Sequence, residues 1–188
     1  GPQFIDFFFR KVHYDQDDIQ CITPGDFLDS GLPIQVQQPT ASSWGESGYY
    51  KVWINEGNSW MYPYQHDAER RMTEYANKFA AQSPMSNVQS QERAKGPWTL
   101  DVELWTRVLD LMARELLLAQ SSDWAFQIYQ GTTVQYSTRR FQSHIHRFDM
   151  LAKMLDSGEV DNELLTEIEN RDNIFAEIDY SVYQSRES

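Results

Sequence analysis

The sequence of 188 residues contains one cysteine, Cys21, so no internal disulfide can form and a reducing compartment is the simplest setting. Basic residues are scarce. Lys and Arg total 16 against 28 Asp and Glu, giving a formal net charge of −12 and a pI near 4.6. A field of that sign repels phosphate, which argues against nucleic acid or an anionic membrane as partner. No apolar run approaches the roughly 18 residues of a membrane span. The cluster Phe7-Phe8-Phe9 is too short for a signal peptide. A glycine-rich phosphate loop, a Gly-x-Ser-x-Gly elbow and paired cysteines are all missing. His144 and His146 stand two apart and face different sides of a helix, and His13 and His66 have no partner histidine nearby in sequence. Metal ligation therefore has no support, no cofactor is expected, and the four histidines read as ordinary, partly exposed ones. These absences leave a soluble, acidic, cytoplasmic chain with no chemistry assigned.

Aromatic residues are plentiful: 10 Phe, 10 Tyr and 6 Trp, in a chain that is 40% hydrophobic and able to fill a core. Tryptophan usually packs inside, but an indole face also takes the apolar C–H face of a sugar ring. Packing or platform is the functional question.

The opening Gly1-Pro2 reads as a remnant of tag removal. Residues 3–14 have the pattern of closing helix turns with an apolar face, and Ile19–Ile22 that of a short strand, with Cys21 a buried, inert thiol. Thr23-Pro24 caps a brief helix ending at Gly31. A single α/β unit cannot build a sheet, which points to residues 3–31 as the end of a larger domain. Residues 32–62 mix Pro, Gly and Ser with aromatics and show little helical period. So long an irregular segment is commonly functional. From Pro63 to about residue 180 the chain is helical. Ala68, Met72, Tyr75, Ala76 and Phe79 share one face, then Trp105, Val108, Leu109, Met112 and Leu116 another. Residues 82–97 have the composition of a surface loop between these helices, and Thr99 or Asp101 is the cap that follows. Ser121-Ser122-Asp123 caps a helix that stops at Gly131, with Asp123 the favoured N-cap. Thr132 with Gln135 has capping-box spacing and opens a long helix, with Tyr136, Phe141, Ile145, Phe148, Leu151 and Leu155 as its stripe and Gly158 beyond its end. Asp161 starts the last helix. The fold class is mainly α: a helical bundle preceded by a short α/β remnant and an aromatic loop. The excess acid lies in residues 1–30 and 151–188, where a solvated face is the ordinary reading, and the middle is nearly neutral.

Carboxylates near the aromatic loop, Glu46 and Glu56, with Asp123 as a third, are the candidates for acid/base work, but each sits in a polar turn or cap context, where a surface or capping role is the default. The loop itself is more specific. Trp44-Gly45-Glu46-Ser47-Gly48-Tyr49-Tyr50-Lys51-Val52-Trp53 puts two indoles nine positions apart across a glycine-bracketed turn. They either seal the loop to the bundle or offer a neutral groove to an uncharged polymer such as a glucan.

The stretch SSWGESGYYKVWINEGNSWMYPYQHDAERRM resembles the C-terminal region of glycoside hydrolase family 57, particularly its α-1,4-glucan branching enzymes. ELLLAQSSDWAFQIYQG and YSTRRFQSHIHRF resemble the same region, and the likeness runs from about Phe4 to Ile168. The resemblance implies a distorted (β/α)7 catalytic barrel followed by a helical domain that closes over the cleft. Residues 3–31 would then be the tail of that barrel. It also implies an α-glucan groove lined by two tryptophans that match Trp44 and Trp53. The family's catalytic Glu and Asp match no position here, so the chain alone is expected to be inactive. Its expected partners are an amylose- or glycogen-like α-glucan and the barrel. A dimer contact is expected through exposed Phe4, Phe7 and Phe8. Trp60, Trp98, Trp105 and Trp124 are assigned to packing. The alternatives are the same domain of a related amylase or 4-α-glucanotransferase, a non-catalytic carbohydrate-binding module, or a helical interaction scaffold.

Overall fold

Helices dominate the computed structural model, which describes residues 1–82 and 101–185. The chain divides into two units, Gly1–Ala41 and Ser42–Ser188.

In the first unit, α1 (Pro2–Tyr14) starts with proline at its first position, where a missing N–H costs nothing. Its apolar face has no cover within the unit. Phe4, Phe7 and Phe8 are 71%, 65% and 51% exposed, and Phe4 stacks on Phe8 one turn away. Helix α2 (Pro24–Asp29) opens on a full capping box: Thr23 Oγ1 accepts from Asp26 N, and Thr23 N donates to the Asp26 carboxylate. Between them, Ile19–Ile22 is irregular rather than a strand, because no second strand among the described residues stands beside it to complete a ladder. Cys21 is correspondingly exposed, not buried.

The second unit is a helical bundle. Helix α3 (Tyr62–Gln82) lays Ala68, Met72, Ala76 and Phe79 inward, and α4 (Val102–Ala119) buries Trp105, Val108, Leu109, Met112 and Leu116. Asp101 caps α4 by accepting from Leu104 N. The alternative cap Thr99, the stretch 83–97 and Trp98 lie outside the described residues. Helix α5 (Ser122–Gln130) ends at Gly131, whose φ of 75° suits a left-handed C-terminal cap. Helix α6 (Val134–Ser157) ends the same way at Gly158, and packs against α4 through Phe148, Leu151 and Leu155. Asp161 caps α7 (Asn162–Asn170) by accepting from Glu163 N and Leu164 N. Fully burying each large side chain of this core contributes about 1.5–3 kcal/mol before chain entropy is counted.

Three local expectations are corrected. The N-cap of α6 is Thr133 rather than Thr132, and its hydroxyl donates to Gln127 Oε1 instead of closing a capping box. The N-cap of α5 is Ser121, with Asp123 one step inside the helix, where its charge favours the N-terminal dipole. Tyr136 lies at the first turn of α6, beyond the end of the core, and is half exposed.

The acidic C-terminal part is not simply a solvated face. Glu169 pairs with Arg107 at 2.7 Å, and Tyr180 N donates to Asp110 Oδ1 at 2.9 Å, which returns the chain to the bundle. Asp172, in left-handed backbone with φ 48°, meets both Arg140 at 2.9 Å and Arg147 at 3.2 Å. Burial raises its carboxyl pKa, but the hydrogen bond and charge of Arg140, aided by Arg147, overcome that and hold it below the ordinary value. Behind them lies a buried cluster. His144 is fully buried, contrary to the partly exposed reading, with Nδ1 2.7 Å from Glu115 Oε2 and 2.8 Å from Arg147 Nη2. Arg147 Nε donates to the same Glu115 oxygen at 3.0 Å.

Trp105 is buried in the main core. Trp60 and Trp124 pack on a smaller cluster of Met61, Ala119, Ile128 and Phe141. Trp60 meets Phe141 edge to face, and Trp124 stacks on His144 while its indole N–H donates to Leu118 O at 2.7 Å. This smaller cluster sits beneath the aromatic segment and supports it.

Candidate functional site

The segment 42–61 is held in shape by its own polar groups. Ser43 Oγ donates to Tyr49 O at 2.6 Å and accepts from Gly45 N and Trp53 Nε1. Ser43 N donates to Gly48 O, closing the turn. Glycine is required at 45, because a Cβ there would stand 2.6 Å from the Tyr49 carbonyl oxygen. One serine therefore folds the turn and fixes the plane of Trp53. The carbonyl of Trp53 in turn accepts from the Tyr62 hydroxyl, at the first residue of α3.

Two further anchors join the segment to α5. Val52 is buried. Asn58, fully buried, donates from Nδ2 to Val52 O at 3.1 Å and to Ala125 O at 3.2 Å, and accepts from Asn55 N at 2.8 Å. All three bonds are made to backbone, so the amide fixes chain positions rather than side chains. At the outer end, the Tyr129 hydroxyl donates to Glu46 Oε2, and Lys51 Nζ lies 3.8 Å from the same oxygen.

This framework brings the two tryptophans singled out by their spacing onto a third ring. The Trp44 and Trp53 centroids are 6.5 Å apart, Trp44 and Phe126 6.2 Å, and Trp53 and Phe126 6.1 Å, all tilted by 33–47°. Distances in this range suit aromatic packing, and the triad forms one apolar surface. Trp44 remains 83% exposed and Trp53 is half-buried, so the surface faces solvent. An exposed indole held by aromatic neighbours on a rigid frame has the form of a platform for a flat apolar face. Phe126 was missed by sequence reasoning. Its signal was present in the Ser-Ser-Asp-Trp-x-Phe run, whose Phe lies one position beyond the Ala125 that Asn58 grips.

The surroundings of the platform are polar but nearly neutral. The hydrogen bond from Tyr129, and after it the Lys51 charge, lower the Glu46 pKa from its ordinary value. The same hydrogen bond raises the Tyr129 phenol pKa, so carboxylate and phenol each keep the form that bonds the other. A carboxyl held ionised in this way is the reverse of a general acid, which needs a raised pKa. Glu56 is exposed in a turn, and Asp123 accepts from Ser121 Oγ at 3.3 Å. Trp53 also borders a cleft of about 350 Å³ lined by Tyr62, His66, Glu69 and Ser121, where Gln120 donates to Glu69 at 2.7 Å. Among the described residues, no group of three or more His, Cys, Asp or Glu could hold a metal ion, and no helix is long and apolar enough to cross a membrane. The arrangement can bind a ligand by stacking and hydrogen bonds.

Known proteins are similar to this chain in sequence and fold. Over 160 residues, 83% of this chain and 21% of the relative, it is 32% identical to the 1,4-alpha-glucan branching enzyme TK1436 of Thermococcus kodakarensis. The crystal structure of a GH57-type branching enzyme from Pyrococcus horikoshii superposes with a TM-score of 0.65 at 34% identity, over 88% of this chain and 29% of that one. The alpha-amylase AmyC from Thermotoga maritima gives a TM-score of 0.63 at 33% identity, over 100% of this chain and 31% of that one. The chain thus spans about a fifth of the length of the curated relative. The family model described as 1,4-alpha-glucan branching enzyme, C-terminal, matches residues 64–183, from the start of α3 to the turn at Tyr180–Tyr183. With most of its helical bundle covered by that model, the chain belongs to the family of 1,4-alpha-glucan branching enzyme C-terminal domains.

Proposed function

We propose that this chain is the part of a glucan branching enzyme that forms one wall of the α-glucan groove, with Trp44 and Trp53 as its substrate-binding residues. The observation that carries the reading is the exposed Trp44 ring, seated against Trp53 and Phe126 at 6.1–6.5 Å between centroids. Indole faces suit the C–H faces of glucose rings, and the near-neutral surroundings suit an uncharged polymer. The whole enzyme carries out retaining transglycosylation with a Glu nucleophile and an Asp acid on the (β/α)7 barrel, of which residues 3–31 are the last part. An α-1,4 bond is cleaved to a covalent glycosyl intermediate, and an acceptor 6-hydroxyl then displaces it to form an α-1,6 branch. An aromatic wall helps by holding the acceptor chain in place and limiting access of water, which favours transfer over hydrolysis. The setting is cytoplasmic glycogen synthesis. The apolar face of α1 packs against the barrel in the intact enzyme, and in this chain alone Phe4, Phe7 and Phe8 supply a contact between two copies.

The test is Trp53→Ala in the intact enzyme. Branching activity is expected to fall at least tenfold with the melting temperature little changed; equal activity at matched stability contradicts the reading.

A second reading, a C-terminal domain serving an amylase, rests on the likeness to AmyC. Analysis of the intact enzyme's products decides between them, since new α-1,6 linkages arise only from branching.

A further inference from the structure

Helix α5 stands between the aromatic platform and the buried cluster of Glu115, His144 and Arg147. Glu115 and His144 are fully buried, and Glu115 Oε1 and His144 Nε2 have no hydrogen bond among the described residues. Replacing a buried ion cluster by apolar side chains of similar volume is often neutral or stabilising, so stability alone does not account for this one. We infer that the cluster positions the platform: it fixes the His144 ring, the ring seats Trp124, and Trp124 sets the angle at which α5 presents Phe126 to Trp44 and Trp53. His144 is then a positioning residue of the groove wall, a role that rests on the glucan reading above.

The contacts run without a break from one side of α5 to the other. Glu115 Oε2 and Arg147 Nη2 stand 2.7 Å and 2.8 Å from His144 Nδ1, so the imidazole is pinned whichever of them shares its hydrogen. Asp172 in turn holds Arg147 at 3.2 Å. Trp124 lies on the pinned ring, with centroids 6.2 Å apart and planes 26° from parallel. Arg140 reaches over its indole at 5.9 Å, Tyr136 meets it edge-on, and its N–H donates to Leu118 O at 2.7 Å. Successive helical residues turn by about 100°, so Trp124 and Phe126 leave α5 about 200° apart, on opposite faces. A roll of the helix imposed at Trp124 is therefore passed to Phe126, whose ring lies 6.2 Å from Trp44 and 6.1 Å from Trp53. Asn58 also holds α5, by the Ala125 carbonyl, and Gln127 accepts hydrogen bonds from Thr133 and Ser137. The first is a single backbone point and the second a side chain with three rotatable bonds, so neither fixes the roll as a stacked indole does.

The test separates positioning from mere stability. His144→Asn puts an amide N–H where Nδ1 stood, which keeps a bond to Glu115, and removes the ring beneath Trp124. Trp124→Leu removes the other half of the stack at a half-buried position and serves where His144→Asn fails to fold, while Trp124→Phe keeps a ring on His144. In the full 188-residue chain, the indole N–H signals of Trp44 and Trp53 are followed by proton–nitrogen correlation NMR, and maltoheptaose affinity by calorimetry, well below each melting temperature. A cluster that only stabilises the bundle would lower melting and leave both readouts unchanged. The expected result in His144→Asn and Trp124→Leu is displaced Trp44 and Trp53 signals and an affinity about three- to tenfold weaker, the scale of one lost aromatic contact. Trp124→Phe is expected to return both readouts close to the parent. Unmoved signals in His144→Asn and Trp124→Leu, or moved signals with the parent affinity, overturn the proposal and leave the wall standing. No maltoheptaose binding by the parent chain overturns the glucan reading, and the indole signals then still decide whether the cluster sets the geometry of the three rings.

Discussion

Asn58 and Ala125 are 67 positions apart in sequence and are joined by a 3.2 Å hydrogen bond from the Asn58 side-chain amide to the Ala125 carbonyl. That bond, in a fully buried position, fixes the aromatic segment to α5 next to Phe126. The three-ring platform therefore depends on a residue that is not aromatic and cannot touch a ligand.

Asn58→Ala should uncouple segment from helix. It strands the Ala125 and Val52 carbonyls and the Asn55 N–H, and an unsatisfied buried group costs about 1–3 kcal/mol. Chemical denaturation is expected to show a loss of about 2–3 kcal/mol, with reduced near-UV circular dichroism as the tryptophans lose their fixed mutual tilt. An unchanged near-UV spectrum would mean that the segment is held by other contacts.

The Glu115–His144–Arg147 cluster makes a sharper demand. Glu115 is fully buried, and its removal leaves the Arg147 guanidinium with no partner at that end. Breaking one member of a buried ion cluster costs about 3–5 kcal/mol. Glu115→Ala is expected to lose that much in urea denaturation. Because Trp124 stacks on His144, its fluorescence should change as well. A loss below about 1 kcal/mol would show that the cluster is not a structural tie.

Asp172 predicts the acid limb of stability. Its folded pKa lies below the unfolded value, so its contribution is fully present above the unfolded pKa and is lost as pH falls through the folded one. Melting temperature should therefore drop as pH falls below about 4. Asp172→Asn keeps a residue that tolerates the left-handed backbone at φ 48°, yet removes the charge facing Arg140 and Arg147. The variant should melt lower than the parent at pH 7, and the gap should close in acid. A constant gap across pH would assign the effect to geometry rather than charge.

The helices were readable from the sequence because their information is local. Apolar period, Thr23, Asp101 and Asp161 caps, and terminal Gly131 and Gly158 each act within a turn of where they stand. That Trp44 and Trp53 come together in space was readable because the glycine-bracketed turn between them is also local. What escaped depends on partners far along the chain. Phe126 is unremarkable within α5 and becomes part of a platform only when Asn58 brings the segment to it. His144 lies between Phe141 and Phe148 at helical spacing, on a buried face, yet its polar ring read as partly exposed because its partner Glu115 stands 29 positions away. Ile19–Ile22 erred in the opposite direction. Apolar residues suggested a strand, but a strand exists only with a neighbour to bond.

The central claim is that Trp44 and Trp53 present a glucan-binding surface, and electrophoresis of the full chain through native gels containing amylose tests it most directly. Retardation of the parent chain, abolished by Trp44→Ala or Trp53→Ala in variants that melt normally, is the result expected. Migration unaffected by amylose, or retardation that survives both substitutions, would contradict it.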